Sequence, residues 1–495
     1  MASSIPSPLS SWSEAPRVRA MNAHGVQREG RYVLCWLQQA LRAHDNPVID
    51  AAIVLANALD LPVLVYHGVR EDYPYASDRL HRFILGASRD VAIGCRARGL
   101  ACVQHVDAAA RREKGLVYRL AADSAAVVVE DQPTFVARWQ AARVAAGTDR
   151  AVLAVNAACL VPPAVLGDGI GSTSAFRRRH LSERDAWLAA TDQVATAAMY
   201  DGPLPFASDR LDERSEADLD ALVAAAAIDH SLPVGAWFPA GRTGALAKLE
   251  RLTTEVLPRY VATRNDATRE TGASTLSPYL HFGVIGPREV MAAVDRAAAP
   301  AANKEKFADE LLTWREWFHY QARSLAAPER YDRITGWARE TLAAHADDPR
   351  PELETLAALL HGETRDETWN ACQRQFLVDG WMHNNLRMYW GKRIIAMTPD
   401  PETAWATACY LNDRLSLDGR DPSTYGNIAA SFGGGAPGGD TRAIYGTVPT
   451  RSDGSTRHRP GGAEWLHAAA NRARPDVAMP AALPDDPYRS GKPAI

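Results

Sequence analysis

The chain has 495 residues, 46% of them hydrophobic and 23% charged, with a formal net charge of −4. That is the make-up of a globular protein with room for about two or three domains. It excludes a uniformly basic surface, so a polyanionic partner would have to meet a local basic face. Six cysteines lie scattered with no CxxC pair, which argues against a disulfide framework or a zinc ribbon and fits a reducing, cytoplasmic setting. No apolar run is long enough for a membrane span.

Residues 1–30, rich in Ser, Pro and Arg, lack the apolar stretch of a secretory signal and are expected to form a flexible tail. Between residues 31 and 162 short apolar runs alternate with helical patterns. The expected strands are 32–37, 61–67, 101–106, 125–130 and 151–155, apolar on consecutive residues as in strands covered on both faces. Leu80, Phe83, Ile84, Ala87 and Val91 share one helical face between two of them. This alternation predicts a doubly wound parallel α/β sheet. No GxGxxG follows the first strand, so dinucleotide binding in the Rossmann manner is not expected. Residues 163–244, broken by Gly and Pro, read as an interdomain connector. Residues 245–450 are almost wholly helical in pattern, and 451–495 read as a polar C-terminal extension.

Four segments of the helical part could carry chemistry. In the first, 264–283, Ser274, Thr275 and Ser277 lie in a glycine-containing loop ahead of Pro278, where hydroxyls and N–H groups could hold a phosphate. The same residues would equally make an ordinary helix cap. In the second, 309–317, Trp314 and Trp317 flank Arg315 and Glu316, which suits a buried or cleft-lining helix better than a solvated one. In the third, 369–393, a helix from 384 would put Asn384, Arg387, Met388 and Gly391 on one face. Gly391 would let a planar ligand approach the backbone, and Arg387 would place a fixed charge beside it. A packed aromatic helix pair explains the pattern as well. In the fourth, 410–422, Asn412 offers an amide at a helix end and Asp418 can pair with Arg387, although an Asx turn and a proline stop would look alike.

In this order the four segments resemble the FAD-binding domain of the photolyase/cryptochrome family, class II branch. The motifs are LSPYLHFG at 276–283, RMYWGK at 387–392 and LDGRDP at 417–422; weaker likeness, including CWLQQALR at 35–42, extends it over residues 30–450. The resemblance implies an N-terminal α/β domain followed by an all-helical domain holding FAD. It puts Tyr260, Ser274, Thr275, Leu276 and Ser277 around the phosphates, Arg387 and Asp418 beside the isoalloxazine, and Asn412 facing its N5. Trp369 and Trp390 match the inner tryptophans of an electron relay. The outer one falls at Met397, so a terminal donor must come from elsewhere, with Tyr389 and Trp381 as candidates. An antenna chromophore is left open.

The activity implied is light-driven electron transfer from reduced FAD to a cyclobutane pyrimidine dimer flipped out of UV-damaged DNA by a monomeric protein. Glu316 would bond the flipped base, and Met388 would line its pocket. Two departures bear on this. Where class II repair enzymes carry tryptophans that pack on the lesion, this chain has Ala430 and the glycine-rich stretch 433–439. Stacking on an aromatic contributes about 1–3 kcal/mol per base. Trp317 and Tyr320 could refill the pocket, and Arg442, Arg451, Arg457 and Arg459 keep the C-terminal region basic. Dimer repair is the first reading. A cryptochrome-like light or redox sensor and a flavoenzyme acting on a small molecule are the alternatives.

Overall fold

A computed structural model describes residues 5–108, 111–189, 193–269, 272–325 and 327–485. The apolar runs form a six-stranded sheet: β1 Val18–Ala20, β2 Tyr32–Leu37, β3 Val63–Val69, β4 Ala101–Val106, β5 Ser124–Glu130 and β6 Ala151–Val155, in the order β1-β6-β5-β2-β3-β4. Strands β2 to β6 pair in parallel. Every residue of β2, β5 and β6 is buried, as layers on both faces require. Strand β3 starts two residues later than expected because Pro62 has no N–H to give the ladder; only its carbonyl joins, accepting from Val33.

Residues 5–30 do not form the expected loose tail. β1 pairs antiparallel with β6 along one edge of the sheet. Buried Arg17 donates to the carbonyls of Asn156 (3.2 Å), Cys159 (2.8 Å) and Leu160 (2.8 Å), so its charge serves the fold rather than solvent. The opposite edge, β4, is closed by the connector: Asp209 accepts from the Val106 N–H at 2.7 Å, and its own N–H bonds Gln104. At the switch point between β2 and β5, where such sheets hold ligands, Glu130 accepts from the N–H groups of Gln38 (2.7 Å), Gln39 (2.9 Å) and Ala40 (2.8 Å).

The helices that matter below are α1 Asp78–Ala97, α2 Thr173–Leu188, α3 Ser277–His281, α4 Arg315–Ser324, α5 Glu367–Asp379, α6 Asn384–Met397, α7 Pro401–Leu415, α8 Pro422–Ser431 and α9 Gly462–Ala470. Helix α1 buries Leu80, Phe83, Ala87 and Val91 against the sheet. A π-helical turn, Asp309–Trp314, leads into α4. One core cluster joins the sheet to α1, α3 and Trp317. A second lies wholly among the helices and contains Trp369, Trp390 and Trp405. The described part of the C-terminal extension packs too: α9 lies on α5, and Arg472 pairs with Asp379 at 2.6 Å. Among the described residues no helix is long and apolar enough to cross a membrane.

Candidate functional site

Helices α5, α6 and α7 and the turn before α8 converge on one polar cluster inside an otherwise apolar bundle. Arg387 of α6 donates from Nη2 to both oxygens of Asp418, at 2.7 and 2.9 Å. Its Nη1 donates to Asn412 Oδ1 at 3.4 Å, and its Nε to the Met382 carbonyl at 2.9 Å. Burial opposes the Asp418 charge most strongly. The Arg387 guanidinium and hydrogen bonds from Ser277 and Ser416 outweigh it and hold the carboxyl below its ordinary range. Asn412, 2% exposed, gives its oxygen to Arg387, and its Nδ2 has no partner among the described residues. That assignment of the amide follows from the bonding around it. An unbonded buried amide costs about 1–3 kcal/mol, and an acceptor group placed beside it would remove that cost.

The loop before α3 approaches the same cluster. Ser277 Oγ accepts from Trp381 Nε1 at 3.1 Å as well as bonding Asp418. Thr275 is held at φ 55°, rare for a β-branched residue, with its hydroxyl between the Ser274 carbonyl (2.7 Å) and Arg251 (3.1 Å). Ser274 Oγ accepts weakly from the Leu276 N–H at 3.5 Å, and Leu276 is buried. Tyr260 packs edge-on to Phe307 with ring centroids 5.5 Å apart, and burial pushes its phenol up to about 12. Arg264 lies over the Tyr260 ring and pairs with Glu310 at 2.6 Å.

Behind the ion pair runs an aromatic column. Arg387 lies 5.1 Å over the Phe376 ring, and Phe376 meets Trp390 edge-on at 5.4 Å. Trp390 stacks on Trp369 with centroids 6.1 Å apart and planes 9° from parallel. Trp369 Nε1 donates to the Trp390 carbonyl at 3.0 Å, and Trp390 Nε1 to Gln373 Oε1 at 2.9 Å. Trp369, Gln373 and Phe376 are spaced as one face of α5, a pattern that would have revealed Gln373 and Phe376 in the sequence. Met397 is buried in the same cluster.

Three groups of expected site residues make their contacts elsewhere in the fold. Both oxygens of Glu316 are engaged away from this cluster: Oε1 accepts from the Leu160 N–H at 2.6 Å, Oε2 from Val161 at 3.4 Å and from His180 Nε2 at 3.0 Å. Glu316 therefore bolts α4 to the sheet domain's exit and to α2, with both its oxygens taken. At Gly391 a Cβ would lie 2.8 Å from Ser431 Oγ, so the glycine admits α8. Ser431 Oγ also donates to Met388 Sδ at 3.7 Å, which ties half-buried Met388 to α8. Trp317 and Tyr320 do not refill a substrate pocket: they stack 5.8 Å apart against Phe176 of α2, and Tyr320 Oη donates to the Gly167 carbonyl. Phe318 of α4 covers Gly426 of α8, and exposed Trp314, at the end of the π-helical turn, lies 6.5 Å from the Phe318 ring. The glycine-rich stretch folds back on α8, and a Cβ at Gly434 would lie 2.8 Å from Ala430 Cα. Arg457 and Arg459 of the basic region pair with Asp453 (2.8 Å) and Asp266 (3.5 Å).

The fold, a mostly parallel sheet docked on a helical bundle, is shared with photolyases and cryptochromes of known structure. The cryptochrome of Synechocystis sp. PCC6803 superposes with a TM-score of 0.63 at 15% identity, covering 88% of each chain. A bacterial class III photolyase from Agrobacterium tumefaciens gives 0.59 at 18% identity, over 82% of this chain and 80% of its own. In sequence, the DNA photolyase family pattern matches residues 33–193. A deoxyribodipyrimidine photo-lyase of Methanothermobacter thermautotrophicus is 30% identical over 451 residues, 89% of this chain and 94% of its own. That of Oryza sativa subsp. japonica is 31% identical over 83% and 81%. The chain belongs to the DNA photolyase family.

Proposed function

We propose that this protein is an FAD-binding, light-driven photolyase of the class II branch that splits cyclobutane pyrimidine dimers in UV-damaged DNA. The observation that carries the reading is the unpartnered Asn412 amide, buried beside the Arg387–Asp418 pair. Such an N–H suits a ring nitrogen of an isoalloxazine, and the arginine beside it suits the negative charge of the reduced ring. Tyr260 and the hydroxyls of Ser274, Thr275 and Ser277 are the groups available to the phosphates. Bound in its reduced form, the flavin supplies the electron that opens the dimer under light.

The chain's own residues do the rest. Asp418 keeps the Arg387 guanidinium in place through a two-oxygen contact, which costs no reorganisation when charge moves. Arg387 in turn fixes the Asn412 oxygen, so the amide N–H points one way. The Trp390–Trp369 stack offers a path by which electrons reach the site. The motifs LSPYLHFG, RMYWGK and LDGRDP support the class II branch, and the relatives named deoxyribodipyrimidine photo-lyase, matched over most of their length, support dimer repair.

The test is blue-light repair of a defined thymine dimer in an oligonucleotide by flavin-loaded protein. The dimer should be reversed under light and persist in the dark, with binding to damaged DNA weakened by salt. Protein that cannot be loaded with flavin would overturn the reading. A second reading, a cryptochrome-like light or redox sensor, is favoured by one observation: the position of a lesion-stacking tryptophan is held by Ala430 under the Gly434 backbone. Photoreduction without dimer reversal would select it.

A further inference from the structure

The stacked pair Trp390 and Trp369 is sealed from solvent, 1% and 0% exposed, and the chain continues from α6 into a buried thioether at Met397. A relay that ends in a buried indole returns its electron. The structure offers an ending at Asp366. This residue caps α5 through Oδ1, which accepts the Trp369 N–H at 2.9 Å. Its Oδ2 accepts from Tyr389 Oη at 2.6 Å and from Arg393 Nε at 2.7 Å. One carboxylate thus touches the backbone of Trp369 and the phenol of the residue preceding Trp390. Tyr389 is nearly buried, whereas the Asp366 side chain is 13% exposed and opens a way to water. Burial first, and then the bond to Asp366, push the phenol's ionisation up, so it is neutral at rest.

We propose that Tyr389 is the terminal electron donor of the relay and that Asp366 is the base that takes its proton. This rests on the flavin reading above, because the one-electron oxidant that first empties the Trp390 indole is the bound oxidised flavin under light. The hole passes from Trp390 to Trp369. One electron then moves from the Tyr389 ring to Trp369, restoring that indole. The Oη–H bond breaks, the proton passes to Asp366 Oδ2, and a neutral phenoxyl remains. A soluble thiolate gives the phenoxyl one electron and becomes a thiyl radical, and the proton returns from Asp366 Oδ2 to restore the phenol. The proton needs no search, because donor and acceptor are already bonded. A competing exit exists: Trp381 meets half-exposed Trp237 edge-on at 5.3 Å, on the Ser277 side of the site.

The experiment is pulsed blue excitation of flavin-loaded, oxidised protein, read by transient absorption and by electron paramagnetic resonance. In the parent protein an indole radical should give way to a neutral tyrosyl radical, more slowly in D2O because a proton moves. Tyr389→Phe should abolish the tyrosyl spectrum and lengthen the indole radical's life by about tenfold or more. Asp366→Asn, whose amide oxygen can still cap α5, should do the same while flavin content stays unchanged. An indole radical with no tyrosyl successor in the parent overturns the assignment alone. So does a lengthened lifetime in Trp237→Phe with none in Tyr389→Phe. Flavin-loaded protein that forms no indole radical overturns the relay together with its ending.

Discussion

Replacing Glu316 by alanine separates two roles for this carboxylate, a substrate ligand or a bolt between domains. In the structure Glu316 is 1% exposed and is the acceptor for three donors, the N–H groups of Leu160 and Val161 and the ring of His180. Each buried donor left unbonded costs about 1–3 kcal/mol, and the longest of the three contacts contributes least. The sum, about 3–5 kcal/mol, agrees with what breaking a buried charged contact costs. For domains of this size that lowers the melting temperature by on the order of 10 °C. The assay is thermal unfolding of flavin-loaded parent and variant, alongside dimer repair at a temperature where both are folded. Glu316→Gln keeps one acceptor for Leu160 and should lose about half as much stability. Glu316→Ala that melts with the parent yet repairs nothing would refute the structural role.

Asp418, held below the ordinary carboxylate range, contributes stability that is complete above about pH 3.9 and is lost as pH falls through its lower folded value. Asp418→Asn should therefore remove this acid-dependent step and lower flavin retention at every pH, measured by flavin fluorescence in the filtrate. Burial pushes the Glu329 carboxyl up to about 7 while it accepts from the Phe135 N–H at 2.6 Å, joining the two domains. Its stabilisation is full below about pH 4.3 and is lost as pH rises through the folded value. Glu329→Gln should thus be more stable than the parent at pH 8, by up to about 3 kcal/mol, and gain nothing at pH 4 in urea titrations. Trp317→Ala should lose about 3–5 kcal/mol of stability with flavin photoreduction unchanged at permissive temperature; a stable variant with weakened DNA binding would instead place Trp317 in the substrate pocket.

The sheet was legible in the sequence because strands covered on both faces must be apolar at consecutive positions, and β2, β5 and β6 are buried throughout. The pairing of Arg387 with Asp418 was suggested by their charges, and the nearness of Trp369 to Trp390 by the family resemblance rather than by any local spacing. What stayed hidden depends on partners far away in the chain. Nothing near Glu316 shows that Leu160 and His180 will claim both its oxygens. Gly391 looks the same in sequence whether it faces a ligand or Ser431. Residues 5–30 read as a tail by composition, because an edge strand of three residues and one buried arginine leave almost no periodic signal.

The backbone of Gly434 rests against the main chain of Ala430, and a side chain at 434 would meet the Ala430 Cα at 2.8 Å. Gly433 beside it is held at φ 112°, where a Cβ would press on Ala338 and Trp337. The turn after α8 can therefore hug that helix only while both positions stay bare. No aromatic surface can be set at 433 or 434 by exchanging one residue unless the turn itself moves away.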